Sequence, residues 1–185
     1  MTEKESRLLI AIARQAIGEA LTGDSSAAYT EVAAHPPAAL CTAEGAFVTL
    51  KDRFSGSLRG CIGNIIGAAP LYELVRRLAR ESAFHDPRFS PVRLDELDQL
   101  RIEISILSVP TEIAGPEKIV VGRDGVILTC GMHRALFLPQ VATEQRWDRD
   151  TMLDHLSIKA GLPHAAWKQS NCRFSVFQAE VYEEI

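Results

Sequence analysis

The stretch AFVTLKDRFSGSLRGCIG (Ala46–Gly63) contains two candidate strands joined by a short polar loop. The first candidate, Ala46 to Lys51, is rich in apolar and β-branched residues, which are typical of strands. The second candidate, Leu58 to Ile62, returns after the loop and is interrupted by Gly60. The stretch therefore predicts a β-hairpin.

The returning strand forms most of the hexapeptide Leu58–Gly63 (LRGCIG), which is the most unusual local sequence in the chain. Two glycines bracket Cys61, and glycine permits close approach of other groups to the backbone. In an extended segment Arg59 and Cys61 project from the same face, and a guanidinium beside a thiol favours the thiolate. This pattern indicates a reactive or ligand-binding cysteine. The structural alternative, which is commoner for a lone cysteine, is a small buried hydrophobe between tightly packed glycines.

The order hairpin, helix, strand occurs twice along the chain. In the first half, a helix opens at Pro70 and Arg101–Val109 alternates apolar and polar residues as a half-buried strand does. The elements of the second half are the hairpin strands Val126–Cys130 and Arg134–Leu138, a helix capped by Asp150, and the strand Arg173–Tyr182. We predict an α+β fold of two intertwined α/β lobes, a duplicated hairpin–helix–strand unit with antiparallel sheets flanked by helices.

The length suits a single domain over residues 1–185, with lobe 1 at about 41–109 and lobe 2 at about 120–185. We expect an N-terminal helix over residues 6–22 to pack on the core, because its apolar residues recur at helical spacing.

Ser6 is the expected cap of this first helix, and Gly23 lies just past its expected end. The segment from Asp24 to Leu40 contains His35-Pro36-Pro37 and predicts an irregular connection with at most one short turn of helix.

Composition excludes some classes of function. The formal net charge of −4 argues against broad nucleic-acid binding, which needs a basic face. The polar N-terminus does not resemble a secretory signal, and no apolar run approaches the roughly 20 residues that span a bilayer, so we expect a cytoplasmic protein. The four cysteines, at positions 41, 61, 130 and 172, are then expected to be reduced thiols. No pair has the C-x-x-C spacing of a zinc or redox motif.

The hexapeptide and five other segments resemble the AMMECR family, named for the protein of the AMME-syndrome candidate region. The five segments, in chain order, are GAFVTL (Gly45–Leu50), AFHDPRF (Ala83–Phe89), IEISIL (Ile102–Leu107), LPQV (Leu138–Val141) and KAGL (Lys159–Leu162). The resemblance implies a two-lobed α/β protein with the hexapeptide near the lobe interface. It also implies component A of a three-part system with a Memo-type protein and a radical-SAM protein. We further expect a small-molecule ligand in the inter-lobe cleft. The cofactor is unknown, and the reaction of the family is not established.

Two sets of candidate site residues follow from the motifs. The catalytic candidates are Cys61 and Glu103. The binding candidates are Arg59, Gly60, Ile62, Gly63, Asp86 and Arg88. Arg59 would bind an anion or stabilise the thiolate, and the amides of Gly60 to Gly63 would form an oxyanion or phosphate nest. No metal ligands stand at diagnostic spacing, so no metal site is predicted.

Each of the other polar candidates has a structural alternative. Asp86 is expected to bond nearby backbone amides after a helix end. Arg88 either pairs with Glu103 in a salt bridge or holds a carboxylate or phosphate. Glu103 is a general-base candidate only if it is covered, since burial would then raise its pKa or require a partner. A base for Cys61 would have to be His85 or His133, the nearest candidates in the sequence.

The sequence leaves three functions open. The first is an enzyme or enzyme component that uses Cys61. The second is a non-catalytic binding or adaptor module, and the third is an RNA-binding module suggested by the GxxG pattern of Gly60–Gly63, which resembles a KH loop.

Overall fold

The computed structural model describes residues 1–24 and 27–184, and this part of the chain forms two four-stranded antiparallel sheets with helices. The α+β class predicted from the sequence is confirmed. Two compact units are present: Met1–Leu107 together with the residues from Glu180, and Ser108–Ala179. The chain thus leaves the first unit, builds the second, and contributes its last strand to the first.

The helices are α1 (Glu3–Thr22), α2 (Ala27–Ala34), α3 (Leu71–Phe84), α4 (Pro139–Glu144) and α5 (Arg149–Lys159). The strands are β1 (Glu44–Asp52), β2 (Leu58–Ile66), β3 (Leu100–Leu107), β4 (Thr111–Ile113), β5 (Gly125–Cys130), β6 (His133–Phe137), β7 (Cys172–Phe177) and β8 (Ala179–Glu183). Short 3₁₀ helices lie at Ala38–Leu40, Leu94–Gln99, Pro116–Lys118 and Ala166–Lys168. Within residues 1–24 and 27–184, no helix combines the length and apolar character that a bilayer crossing requires.

Helix α1 begins earlier than the sequence predicted. Thr2 is its N-cap and forms a capping box with Glu5. Ser6, the predicted cap, is buried inside the helix, where its hydroxyl donates to the carbonyl of Glu3. The C-terminal prediction is confirmed, since Gly23 ends the helix in the left-handed conformation with φ of 79°.

The connection predicted over Asp24 to Leu40 is more ordered than expected. It contains the eight-residue helix α2 and the 3₁₀ turn Ala38–Leu40, whose Leu40 is buried. Residues 25 and 26 of this prediction lie outside the described residues.

The first unit places its sheet in the order β2-β1-β3-β8. One face of β1 and β3 carries the fully buried apolar side chains of Val48, Leu50, Ile102 and Ile104, which pack in one cluster with apolar residues of α1 and α3. Strand β2 continues to Ile66. The predicted interruption at Gly60 is present as a register shift in the β1–β2 ladder, because Leu50 pairs with Gly60 and Lys51 with Leu58.

The second unit repeats the strand arrangement of the first. Its sheet has the order β4-β7-β5-β6, so β7 pairs with the first strand of the β5–β6 hairpin as β3 pairs with β1. The predicted single strand Arg173–Tyr182 is wrong, because the chain changes sheets at Gln178. There the backbone N–H of Gln178 donates to the Ser108 hydroxyl, and its carbonyl accepts from the Ser108 N–H, both at 2.9 Å.

The expectation of four free thiols is also wrong. Cys130 and Cys172 form a disulfide, whereas Cys41 and Cys61 are free. The two bonded cysteines are directly opposite each other at the end of the β5–β7 ladder, with their Cα atoms 4.2 Å apart. They are 42 residues apart in sequence, so only strand register brings them together.

This disulfide closes a loop that contains β6, α4 and α5, and we expect its removal to destabilise the second unit. Replacing Cys172 with serine should lower the free energy of unfolding by up to about 4 kcal/mol, the chain-entropy value for such a loop. Urea titration followed by the fluorescence of Trp147 and Trp167, both in the second unit, measures the change. Cys41→Ser is the matched control and should leave the midpoint unchanged. Equal wild-type curves with and without reductant would contradict the prediction.

Candidate functional site

The hexapeptide lies on β2, an edge strand of the first sheet, and helix α3 contacts its backbone directly. A Cβ atom on Gly60 would lie 2.2 Å from the carbonyl oxygen of Ser82 in α3. Real Cβ atoms do not approach a backbone oxygen so closely, so any larger residue would displace the end of the helix from the strand. Gly60 is therefore needed for packing.

Ser82 connects α3 to both strands of the hairpin. Its hydroxyl accepts from the backbone N–H of Ile62 at 2.9 Å and donates to the backbone carbonyl of Val48 at 2.8 Å. Ile62 and Val48 are directly opposite each other in the β1–β2 ladder. Ser82 is only 1% exposed, so this hydroxyl satisfies backbone groups that water does not reach.

Asp86 lies just after the end of α3. It binds the backbone of β2 at Cys61, one residue before the Ile62 amide that Ser82 binds. One carboxylate oxygen accepts from the backbone N–H of Cys61 at 2.8 Å, and the other accepts from the backbone N–H of Arg88 at 3.1 Å. The Arg88 guanidinium also binds both oxygens, at 2.9 and 2.7 Å. These bonds, chiefly those from Arg88, hold the pKa of the Asp86 carboxyl well below its ordinary value. Asp86 thus has the local structural role predicted for it.

Two expectations about the hexapeptide and its neighbour Arg88 differ from the structure. Of the two alternatives for Arg88, the salt bridge to Glu103 does not form, because Arg88 pairs with Asp86. The amides of Cys61 and Ile62 already donate to Asp86 and Ser82, so they are not free to form an anion nest. The comparison with a KH loop also fails on geometry, because Gly60–Gly63 lies within a strand instead of between helices.

Arg59 points to the 3₁₀ helix Leu94–Gln99 instead of supporting the thiol. Its guanidinium binds the carboxylate of Glu96 at 3.1 and 3.2 Å and the carbonyl of Ser90 at 2.9 Å. The bonds from Arg59 are the main cause that lowers the pKa of Glu96. The guanidinium near Cys61 is that of Arg88, which donates to the Cys61 carbonyl at 3.2 Å and is balanced by Asp86.

Gly63 makes room for an aromatic ring on the opposite face of the sheet. A Cβ at Gly63 would lie 2.2 Å from ring atoms of Phe47, its direct neighbour on β1. The Phe47 ring therefore covers the glycine, and a side chain at this position would displace the ring.

The thiol of Cys61 lies on the sheet face opposite α3, in a row of three residues on three strands. Thr49 is directly opposite Cys61 on one side and Glu103 on the other. The Thr49 hydroxyl donates to the Cys61 sulfur at 3.3 Å. We call Cys61, Thr49 and Glu103 the Cys61 row. Cys61 is half-buried, while Thr49 and Glu103 are buried.

Glu103 is 7% exposed, and its carboxyl is close to charged groups of both signs. Burial raises the pKa of its carboxyl, the neighbouring Glu183 carboxylate raises it further, and Lys51 opposes the shift. The Lys51 ammonium lies 2.5 Å from Glu103 and 3.7 Å from Glu183. The hydrogen bond from Glu103 correspondingly lowers the pKa of Glu183. Glu103 is therefore covered, paired and shifted upwards in pKa.

The sequence did not identify Thr49, Lys51 or Glu183 as site residues. Thr49 and Lys51 are two residues apart on the predicted strand Ala46–Lys51, so the sequence places them on the same face. Their contact with Cys61 and Glu103 depends on the register between strands, which has no local signal.

Of the two imidazoles predicted as bases, His85 belongs to the first unit and His133 to the second. His85 is exposed and lies 3.4 Å from Glu81. The Nδ1 atom of His133 is 3.0 Å from the carbonyl of Ala160, in the second unit. Among residues 1–24 and 27–184, no group of three or more His, Cys, Asp or Glu side chains is placed to hold a metal ion.

The fold and the hexapeptide define a class of α+β protein: two sheets with a repeated strand order, and a glycine-flanked cysteine on an edge strand beside a helix end. The chain belongs to the AMMECR1 family, whose sequence model matches residues 10–182. The resemblance noted from the motifs is confirmed.

Relatives match along nearly their whole length. Protein MK0488 of Methanopyrus kandleri is 38% identical over 192 residues, covering 100% of this chain and 90% of that protein. Protein PH0010 of Pyrococcus horikoshii is 41% identical over 186 residues, covering 95% and 88%. The crystal structure of uncharacterized protein PH0010 from Pyrococcus horikoshii superposes with a TM-score of 0.88 at 39% identity, covering 100% of this chain and 93% of that one.

The contact between Gly60 and Ser82 predicts that one added methyl group at position 60 greatly lowers the free energy of unfolding. Gly60→Ala should lower the free energy of unfolding by about 2–3 kcal/mol, because the added carbon meets a backbone oxygen that cannot rotate away. Gly18→Ala is the matched control: its Cβ would lie 3.7 Å from Leu97, and helix α1 should gain up to about 1 kcal/mol. Chemical denaturation of both variants measures the difference. A neutral Gly60→Ala would show that the helix end is not held at this distance.

The lowered pKa of Asp86 predicts how stability depends on pH. A carboxyl whose pKa is lower in the folded than in the unfolded state stabilises the fold above its unfolded pKa, about 3.9, and this contribution is lost as the pH falls towards the folded pKa. Asp86→Asn should therefore cost about 2 kcal/mol at pH 7, the value for bonds to a charged group.

The difference between wild type and Asp86→Asn should shrink progressively below about pH 4, as urea midpoints at several pH values will show. Asp95→Asn, which alters an exposed carboxylate paired with Arg93, should change little at any pH. A difference for Asp86→Asn that does not vary with pH would contradict the role of its charge.

Proposed function

We propose that this chain is an enzyme, or a component of an enzyme system, whose reacting centre is the sheet face that carries the Cys61 row. Cys61 supplies the thiol that contacts the ligand, and Glu103 supplies a carboxyl that takes or gives a proton. The ligand class is a small molecule or a modified protein.

A single observation carries the proposal: a buried hydroxyl bonded to a half-buried thiol stands beside a buried carboxyl of raised pKa. Burying such groups is unfavourable unless each is bonded, and a hydrophobic face would stabilise the sheet more simply. Titratable groups shifted by burial and charged neighbours cluster at functional sites. The arrangement therefore supports chemistry more than packing.

The geometry also limits the mechanism. Cys61 and Glu103 are two strands apart, which is about 10 Å in a β-sheet, so Glu103 cannot take the thiol proton directly. Thr49 lies between them, and its hydroxyl donates to the sulfur. Glu103 is therefore assigned to a ligand proton, and Thr49 positions the thiol. Lys51 holds the Glu103 carboxyl and limits the rise of its pKa.

The proposed partners are the Memo-type protein and the radical-SAM protein that the family resemblance implies. The chain would then act on a ligand that one of these proteins produces or receives. Capture of either partner by the purified protein is the direct measurement, and a Cys61→Ser variant should retain the partner while losing turnover. Loss of both together would instead indicate that Cys61 is part of a docking surface.

One observation favours a second candidate, a non-catalytic binding or adaptor module. The amides of Cys61 and Ile62 are already bonded, and the charge of Arg88 is balanced by Asp86. The hexapeptide therefore offers neither free oxyanion donors from these amides nor a net positive charge from this pair. A rigid strand of this kind is suited to presenting a surface.

Thiol alkylation separates the two candidates. Thr49→Val should slow the reaction of Cys61 with iodoacetamide at pH 7 by about five-fold, because a hydrogen bond to sulfur of about 1 kcal/mol is lost. Exposed Cys41 is the reference thiol in the same protein, and its rate should not change. Peptide mass spectrometry measures both rates. An unchanged Cys61 rate would overturn the reacting-centre proposal in favour of the adaptor.

A further inference from the structure

A pocket of the first unit lies along helix α3 and its C-cap, and we call it the α3 pocket. It has a volume of about 320 Å³. One wall is Tyr29 of α2, and the rest of the lining is a stripe of ionisable residues: Glu73, Arg76, Arg77, Arg80, Glu81 and His85. These residues recur at intervals of three or four, so they share one side of the helix. The Cys61 row lies on the sheet face opposite α3, so the two sites are separate.

Arg76 forms a fixed wall of the α3 pocket. Its guanidinium binds the Glu19 carboxylate at 2.7 Å and lies over the Tyr29 ring, 4.2 Å from the ring centre. The Tyr29 ring in turn contacts the ring of Tyr72, with 6.2 Å between the ring centres. Residues of α1, α2 and α3 therefore hold this guanidinium in one orientation, and such pre-organisation lowers the entropy cost of binding.

Arg77 and Arg80 are exposed and line the same pocket. In the part of the chain that the structure describes, neither guanidinium forms an ion pair with a carboxylate. The Asn64 amide satisfies both of its groups when its oxygen faces Arg77, and this oxygen then accepts from the guanidinium at 3.0 Å. A guanidinium has five N–H donors, so this bond leaves most of them for a ligand. Because Arg77 and Arg80 are three residues apart on a helix, both reach the same ligand group.

The two carboxylates of the lining are bound by other groups. Glu73 accepts from the Tyr72 hydroxyl at 3.1 Å, and the Glu81 carboxylate lies 3.4 Å from Nδ1 of His85. The α3 pocket therefore has more donors than free acceptors, and it suits an anion that is rich in acceptor oxygens.

A phosphate group matches this arrangement better than a carboxylate does. One guanidinium fork satisfies both oxygens of a carboxylate, whereas a phosphate monoester has three terminal oxygens and a charge close to −2, so it engages two forks. Glu73 and Glu81 lie four residues before and after Arg77, where they repel negative charge beyond that one group. This repulsion disfavours nucleic acids and other polyphosphates.

We propose that the α3 pocket binds the phosphate group of a small phosphorylated molecule, with Arg77 and Arg80 as the residues that bind the phosphate. The volume of the pocket lies at the lower end of the range for small-molecule sites, about 300–1,000 Å³, so the rest of the molecule is small. The pocket shares no residue with the Cys61 row, so this site does not depend on the reacting centre proposed above.

The first test removes the two exposed guanidinium groups. Inorganic phosphate is titrated into isotope-labelled protein at low salt, and the NMR signals of the α3 backbone amides report binding. Wild type should give shifts that saturate, and Arg77→Gln/Arg80→Gln should bind at least about ten-fold more weakly, because two charge-assisted contacts are lost. Arg134→Gln/Arg149→Gln removes the same charge from the second unit. It is the matched control and should bind within about two-fold of wild type.

The second test compares anions on the wild-type protein by the same NMR signals. Acetate should bind at least about five-fold more weakly than phosphate, since it has fewer oxygens and less charge for the two forks.

The third test uses a variant that should bind more tightly, so a loss of structure cannot explain the expected result. Glu73→Gln/Glu81→Gln should bind phosphate about three-fold or more tightly at low salt, because like-charge repulsion is removed. Tripolyphosphate, which extends further towards these two positions, should gain more affinity than phosphate does.

Each of three results would contradict the proposal. Shifts that stay linear in phosphate, or equal weakening in both arginine double variants, would indicate unspecific attraction of ions. Acetate binding as tight as phosphate binding would show that the pocket does not select a phosphate group. Unchanged binding in Glu73→Gln/Glu81→Gln would show that the two carboxylates do not limit the ligand.

Discussion

The close contact between the end of helix α3 and the backbone of strand β2 is the constraint on which the first unit and its site depend. At Gly60, the Ser82 carbonyl occupies the space where any other residue would place its Cβ. This proximity lets the Ser82 hydroxyl bond to both strands and lets Asp86 reach the amide of Cys61. The hexapeptide is thus first a packing motif, and its cysteine is held by a backbone that cannot move independently of the helix.

The same constraint determines what the site can do. Because the amides of Cys61 and Ile62 bind the helix end, the chemistry that we propose for the site falls to side chains on the opposite face of the sheet. There the Thr49 hydroxyl and the Glu103 carboxyl replace the arginine and amide donors expected from the hexapeptide alone. The glycines have separate functions: Gly60 admits a helix backbone, and Gly63 admits the ring of Phe47.

The two units show one strand arrangement used with different supports. In the first, helix α3 is tied to its hairpin by polar side chains. In the second, a disulfide joins the first strand of the hairpin to the strand beside it. The disulfide therefore supports the second unit, whereas the Cys61 row belongs to the first.

The sequence by itself determined the α+β class, the repeated hairpin–helix–strand order and the family, because apolar periodicity, turn residues and ordered motifs are local properties. It also identified Cys61, Glu103, Asp86 and Arg88 as candidate site residues. Asp86 pairs with Arg88 two residues away, which is a local contact. Tertiary structure decided the other three pairs: Lys51 with Glu103, Thr49 with Cys61, and Cys130 with Cys172. Three of these four pairs depend on strand register, and a shift of one residue would turn every side chain to the other face, so residue types and spacing along the chain do not specify them.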